Sequence, residues 1–343
     1  MAVRPPRRAT LDEVARLARV SPSTVSRVVR GSTPVSPELE SAVREAIRVT
    51  GYVPNLAARQ LVTSRSDAVG VVIPEDQWRV FRDPFFADMV EGVATQLAST
   101  HYRVILVMGR SAEDPEWLLN YVGGGHVDGV MLIAPERHHP LGDAIRSAGV
   151  PVVYMGKPFQ ETEDARYVDA DNAGGVRQAV EYLYGQGRRR IALIAGVPTM
   201  RSSVDRTAGY RSGMASVGLP VDERLVLATD YGDEAGEKAM NQLLRLGESV
   251  GVVDAVIAAS DLIAIGVLRS LRTARIDVPG DIAVIGFGDE RIAARSEPPL
   301  TTIAHNATQM GKELARLMLA VLEGQQDPGC FIMPPRLVVR ATA

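Results

Sequence analysis

Residues 9–31 read Ala9-Thr10-Leu11-Asp12-Glu13-Val14-Ala15-Arg16-Leu17-Ala18-Arg19-Val20-Ser21-Pro22-Ser23-Thr24-Val25-Ser26-Arg27-Val28-Val29-Arg30-Gly31, and two helix starts stand close together in them. Thr10 with Glu13 makes a capping box, and Leu11, Val14, Ala15 and Ala18 share one helix face. Ser21 before Pro22 is an N-cap followed by proline at the first helical position, leading into Val25, Val28 and Val29 before Gly31 ends the run. Val20 lies in a connection so short that the two helices must cross steeply, as in a helix-turn-helix. Ser36 and Pro37 repeat the start device, and Leu39, Val43 and Ile47 carry the stripe to a stop at Gly51. Three helices therefore fit in about fifty residues.

Beyond Pro54, the segment Asn55 to Val62 has an N-cap and good helix formers but is too short to hold a helix alone in water, so it needs a partner. Thr63-Ser64-Arg65-Ser66 is polar and reads as a linker. The pattern then changes. Apolar, β-branched runs at Ala68 to Ile73, Arg103 to Met108, Gly129 to Ile133 and Val150 to Met155 alternate with helical stretches such as Phe85 to Ser99. Arg190 to Ala195, Ala255 to Ala258 and Ile282 to Phe287 repeat the rhythm, and Leu337 to Arg340 is strand-like. This alternation predicts an α/β sensor of two lobes, each a doubly wound parallel sheet, with a ligand between them at the carboxyl ends of strands.

Charge divides the chain in the same place. The first 66 residues carry 11 arginines, no lysine and 5 acids, whereas the whole chain has a net charge of −3, so the basic balance sits at one end, where a polyanion would dock. A solvated basic face without a partner is the bland alternative. One cysteine, Cys330, allows no intrachain disulfide and no cysteine-cluster zinc site, in keeping with a reducing compartment. No apolar stretch is long enough for a signal peptide or membrane helix, so a cytoplasmic location is expected.

The string Ala9 to Ala15 with Val20 to Val28 resembles the DNA-binding head of the lactose-repressor (LacI/GalR) family. The likeness continues through Pro34-Val35-Ser36, Gly51-Tyr52-Val53-Pro54-Asn55 and Ala58-Arg59-Gln60-Leu61, then Asp83-Pro84-Phe85-Phe86 and Val127-Asp128-Gly129-Val130. Gly149 to Val153, Arg206 to Tyr210, Ser260-Asp261-Leu262 and Glu297 to Ile303 extend it over essentially the whole chain. The resemblance implies a helix-turn-helix head over 1–54, a hinge helix and linker over 55–66, and a periplasmic-binding-protein-like sensor over 67–343. Its lobes would be about 67–186 with 299–325, and about 187–298 with 326–343.

By that resemblance the second helix enters the major groove, with Pro22, Ser23 and Arg27 reading bases. Arg27 would be the bidentate partner of a guanine. Ser21, Thr24, Ser26, Arg30 and Tyr52 would contact phosphates, which set register without carrying sequence. Ala58, Arg59 and Leu61 of the hinge would enter the minor groove, Leu61 as the wedge that kinks a flexible centre of a near-palindromic operator. The effector positions that match are Phe86, Asp171, Arg206, Tyr231, Ser260 and Gly288. An aromatic face with an arginine and a carboxylate suits a carbohydrate, and Trp78, Phe81 and Phe85 point to a longer, glucan-like one.

Two departures stand out. The family usually has asparagine where Ser260 precedes Asp261, and often a ligand-binding aspartate where Gly288 stands. Either Asp289 substitutes by a one-residue shift or the ligand lacks the hydroxyl concerned. A purine or phosphorylated corepressor, which Arg206 could also serve, is the alternative effector. An enzyme is disfavoured: Gly123-Gly124-Gly125 does not follow a strand in the phosphate-binding pattern, and His138-His139 beside Pro140 lacks a third metal ligand at suitable spacing. No cofactor or metal is expected. A transport-type sugar-binding protein would have no use for the first 66 residues. A small head offers too few base contacts alone, so a homodimer is expected, and no leucine-heptad tail follows to hold a tetramer. Repression is the family's usual outcome; whether ligand induces or co-represses stays open.

Overall fold

The computed structural model describes residues 9–30, 35–53, 65–108, 115–134, 137, 141–160, 165–325 and 329–343. The chain forms two compact units, Met1–Ser66 and Asp67–Ala343.

In the first unit α1 spans Leu11–Ala18, α2 Pro22–Arg30 and α3 Pro37–Thr50. The capping box of α1 closes both ways: Glu13 N–H donates to Thr10 Oγ1 at 3.3 Å and Thr10 N–H to Glu13 Oε2 at 2.9 Å. Arg19, in the left-handed region at φ 53°, ends α1 and turns the chain into α2. Ser36 stands at the N-cap of α3 but its side chain caps no helix amide. Gly51 closes α3 at φ 62°. Val14, Ala15, Val25, Val43 and Ala46 are the fully buried residues of this small core.

The second unit has two six-stranded sheets. The first is ordered β11-β5-β4-β3-β1-β2 and is wholly parallel: β1 Ala68–Ile73, β2 Arg103–Met108, β3 Gly129–Ile133, β4 Val152–Met155, β5 Tyr167–Ala170 and β11 Phe331–Met333. The second is ordered β12-β10-β9-β8-β6-β7: β6 Ile191–Ala195, β7 Val226–Ala228, β8 Ala255–Ala258, β9 Ala283–Gly288, β10 Thr301–Ala304 and β12 Arg336–Val338. Only the β10–β12 pairing is antiparallel. Most strands are buried along their length, since helices cover both faces. In the first lobe helices Pro84–Leu97 and Ala307–Leu322 touch backbone to backbone, because a Cβ at Gly92 would strike the Thr308 carbonyl and one at Gly311 the Met89 carbonyl.

The topology corrects the lobe boundaries. Helix Asn172–Gly185 buries Val176, Ala179, Val180 and Leu183 against Ile191 and Leu193 of the second lobe, so the first crossing lies near residue 170, not 186. β10 extends the second sheet, which moves the next crossing from 299 to about 305. β11 takes the edge beside β5 in the first sheet, so the last falls between Met333 and Arg336 and not at 326. Each lobe is therefore tied to the other by three strands of chain.

Candidate functional site

The exposed face of the head is made by α2. Val25 is buried and Val28 half-buried, which turns Pro22, Ser23 and Arg27 outward and leaves Thr24 and Ser26 half-exposed. Ser21 Oγ accepts the Thr24 N–H at 3.2 Å and lies 2.8 Å from Ser23 Oγ and 2.9 Å from Thr24 Oγ1, so it fixes the first turn. Among the described residues Arg27 makes a 3.5 Å contact from Nη2 to Thr24 Oγ1, and it is exposed. Arg16 and Arg19 are exposed too, basic positions that the sequence analysis did not single out. Tyr52 packs half-buried against the head core. Arg30 belongs to α2 by its backbone. Ala58, Arg59, Leu61 and the hinge lie outside the described residues, as do His138 and His139.

Between the lobes lies a cleft of about 800 Å³ including its open mouth. Phe86, Arg206, Tyr231 and Ser260 line it. Arg206 comes from helix Arg201–Ser216; it donates from Nε to Asn172 Oδ1 at 2.9 Å and from Nη1 to the Ala259 carbonyl, and its guanidinium lies 3.8 Å from the Phe287 ring centre. Tyr231 and Ser203 share a hydroxyl hydrogen bond of 2.7 Å. Ser260 caps helix Asp261–Ala274, accepting the Ile263 N–H at 3.2 Å. From the first lobe Arg79, on the short helix Gln77–Arg82, reaches across to Tyr231, 4.4 Å from its ring centre, while ion-paired to Glu75 at 2.7 Å. Trp78 and Phe81 on that helix are exposed, 51% and 71%, and Phe85 lines the cleft.

Two expected effector residues stand elsewhere. Asp171 is exposed and caps helix Asn172–Gly185, accepting the Gly174 N–H at 2.7 Å; Asp169, two residues earlier in β5, is a buried acid of the cleft. It accepts N–H groups from Lys157 at 2.9 Å and Ala170 at 2.8 Å. Asp289 turns away at φ 58° into a 2.5 Å ion pair with Arg340, and it and Gly288 line a different cavity. After β9 it is the next residue, Glu290, that lines the cleft, as Asp83 and Asp169 do from the first lobe. Strand alternation cannot separate 169 from 171, because both are odd; the cap pattern from Asp171 to Gly174 was the usable signal.

Burial dominates the electrostatics. It raises the Asp169 carboxyl, opposed by the Lys157 and Ala170 amides, and pushes Asp261 up to about 6 despite hydrogen bonds from Thr302 and the Glu290 N–H. Burial also lowers Arg206, countered by Tyr231 and Asp169. His305, edge-on to Phe85 and Phe287, is driven down to about 3 by burial and then by Arg206, so it is neutral. Among the described residues His305 Nδ1, Arg79 Nε and Glu290 Oε2 are buried without hydrogen-bond partners. Rings with unspent donors and acceptors can hold a polyhydroxyl ligand.

Among the described residues no group of three or more His, Cys, Asp or Glu side chains could hold a metal ion, and no helix is long and apolar enough to cross a membrane. The triple glycine forms a wide helical turn, Val122–His126, with His126 stacked on Tyr121.

Comparison with known proteins assigns both units. Residues 10–55 match the family of bacterial regulatory proteins of the lacI type, and residues 180–343 the periplasmic binding protein-like domain. The HTH-type transcriptional regulator CelR of Thermobifida fusca is 43% identical over 97% of this chain and 98% of its own. The transcriptional repressor CytR of Escherichia coli K12 is 30% identical over 97% and 96%. The structure of a CelR–cellobiose complex superposes with a TM-score of 0.78 at 41% identity, over 98% of this chain and 100% of that one. The lac repressor dimer bound to operator and anti-inducer gives 0.85 at 25% identity, over 98% and 99%.

Proposed function

Because the chain belongs to the lacI family of bacterial regulatory proteins, and so is a DNA-binding transcription regulator under ligand control, we propose that it represses as a homodimer from a near-palindromic operator. It works in the cytoplasm and catalyses no reaction. Arg27, Pro22 and Ser23 read base edges; Ser21, Thr24, Ser26, Arg30 and Tyr52 hold phosphates; Ala58, Arg59 and Leu61 act at the operator centre. Its effector is a neutral carbohydrate, a β-linked disaccharide of the cellobiose kind, held by Phe86, Arg206, Tyr231 and Ser260 with Asp169 and Glu290.

The observation that carries this reading is the composition of the cleft: aromatic rings beside buried polar groups whose hydrogen-bonding capacity is unspent. The CelR relative, whose structure holds cellobiose, supports it. A phosphorylated corepressor fits less well, because Arg206 is already engaged by Asn172, Ala259 and Phe287.

The test is selection of bound duplexes from a random pool, for the parent and Leu61→Ala, followed by titration of the selected complex with cellobiose, other neutral disaccharides, purines and sugar phosphates. A palindromic consensus, blurred at its centre in the variant, with a response confined to neutral disaccharides, is the expected result. Binding that ignores sequence, or a response only to purines or phosphates, would sink it.

A further inference from the structure

The chain leaving β1 turns back over the cleft. Glu75 follows the strand, and Asp76 opens the short helix Gln77–Arg82, whose Val80 is buried while Trp78 and Phe81 are exposed. Arg79 of that helix lines the cleft, with 13% of its side chain exposed. Its guanidinium is held from three directions. Nη1 is ion-paired to Glu75 Oε1 at 2.7 Å, and Cζ lies 4.4 Å from the centre of the Tyr231 ring and 5.8 Å from that of Phe86. The Tyr231 ring is itself fixed: its hydroxyl shares a 2.7 Å hydrogen bond with Ser203, and a Cβ at Gly196 would strike the ring, so glycine there leaves it its place. Glu75 and Phe86 belong to the first lobe, Tyr231, Ser203 and Gly196 to the second. The arginine is therefore seated by both.

One atom of that group is left over. Among the described residues Arg79 Nε is buried and has no hydrogen-bond partner. An arginine N–H kept from water without an acceptor destabilises the empty cleft, and it cannot turn outward without giving up Glu75 and Tyr231 together. A lysine could keep the ion pair, but it has neither a plane to lie on the ring nor an N–H at this point of the side chain. The arrangement holds a donor ready for an acceptor that the protein does not supply.

We propose that Arg79 is a specificity-determining residue of the cleft, its Nε–H donating to one hydroxyl of the bound carbohydrate. The proposal rests on the carbohydrate reading for the kind of oxygen that accepts. A hydroxyl takes this hydrogen bond and still donates its own O–H to another group of the wall, which an ether oxygen cannot do. Because Tyr231 seats the guanidinium from the opposite lobe, the donor is in place only when the lobes are together, and recognition of that hydroxyl favours the closed cleft.

The test is titration calorimetry on the full chain with cellobiose and its monodeoxy analogues, each lacking one hydroxyl, for the parent and Arg79→Lys, with thermal melts to confirm folding. The variant is expected to bind cellobiose about 10- to 100-fold more weakly, the range for a hydrogen bond from a charged donor. One analogue should be weakened to a similar extent in the parent and lose nothing further in the variant, where the partner of its missing hydroxyl is already gone. If every analogue keeps its penalty in Arg79→Lys, the arginine only holds the lobes, and the proposal is overturned however far affinity falls. Should Arg79→Lys not fold, Glu75→Gln takes its place: the ion pair is lost, and the same single penalty should shrink, whereas penalties equal to the parent's overturn the proposal. If no neutral sugar binds, the carbohydrate reading fails, and Arg79→Lys is titrated against whichever purine or sugar phosphate does bind. A loss of about tenfold there with unchanged melting keeps Arg79 as a ligand contact, and unchanged affinity removes it. A chain that binds none of these ligands overturns both readings.

Discussion

The head and the sensor handle charge in opposite ways. In the head the carboxylates are solvated and partnered: the Glu38 carboxyl is held low by its own backbone N–H and then by Ser36, and Glu45 by Arg48 at 2.6 Å. In the sensor, Asp83, Asp169 and Glu290 of the cleft and Asp261 buried behind it are all raised, with burial the leading cause in each. The difference follows from the ligand each must meet. A DNA reader faces a polyanion already dressed in water and counterions, so its arginines serve best when exposed and uncommitted. A pocket for a small polar molecule has to desolvate its own polar groups first and hold them in fixed geometry. The head is consequently small and locally built, and the cleft gathers residues as distant in sequence as Arg79 and His305.

The most severe way to break this contrast is to remove the buried cation. Arg206→Ala would leave Asp169, Asp261 and Asp83 without their shared counter-charge, and removing one partner of a buried ionic group costs about 3–5 kcal/mol. Hydrogen exchange on the full chain should show that loss in the sensor amides, while those of α1 to α3 keep their protection, because the head has its own core. Equal loss in both units would mean that the two behave as one cooperative body.

The pH dependence sharpens the contrast next. Asp261 is raised from its ordinary 3.8 to about 6 and is completely buried, so its ionisation opposes the folded state. The folded form prefers the proton; stability is greatest below the unfolded value and falls as pH rises through the folded one. At about 1.4 kcal/mol per pKa unit, Asp261 should cost the cleft wall about 3 kcal/mol between pH 4 and 6. The lowered Glu38 and Glu45 give the reverse slope in the head, with stability lost as pH falls through their folded values. Protection factors, corrected for the intrinsic exchange rate at each pH, should fall for cleft-wall amides as pH rises between 3.8 and about 6, and fall for head amides as pH drops below 4.5. A common direction would refute the contrast.

Arg27→Ala is the smaller, cleaner cut. It is exposed and among the described residues makes a 3.5 Å contact to Thr24, so stability should hardly change, while discrimination at one operator position should drop by about 1–3 kcal/mol. Fluorescence anisotropy on matched and mismatched duplexes would measure this. Uniform weakening on every sequence would make Arg27 a phosphate contact instead.

Legibility followed the same division. Caps and apolar spacing announced α1 to α3 because each depends on residues within four positions of one another, and residues Ala68 to Ile73 or Gly129 to Ile133 read as strands because burial on both faces leaves an unbroken apolar run. Tyr167–Ala170, Val226–Ala228, Thr301–Ala304 and Phe331–Met333 escaped notice. They are only three or four residues long, and Asp169 or paired threonines break the apolar signal. In the cleft, Phe86, Arg206, Tyr231 and Ser260 were named from the sequence, whereas Glu290 and Asp169 were not. Choosing between acids one or two residues apart requires the backbone path: Asp289 at positive φ turns toward Arg340, and the next residue turns inward.

The smallest expected effect separates those neighbours. Asp171→Ala removes an N-cap from an exposed position and should cost about 1 kcal/mol of stability, with the affinity for a neutral disaccharide unchanged. Asp169→Asn keeps the volume but alters a buried carboxyl that accepts amide protons from Lys157 and Ala170 and a side-chain N–H from Asn172 at 3.1 Å. Because Asn172 in turn positions Arg206, the asparagine at 169 should disturb ligand affinity out of proportion to its effect on melting. Thermal melts and calorimetric titrations on both variants form the comparison. If Asp171→Ala lost ligand affinity while Asp169→Asn kept it, the acid that serves the cleft would be 171 after all, and the first lobe would have to present a different edge of the chain to its ligand.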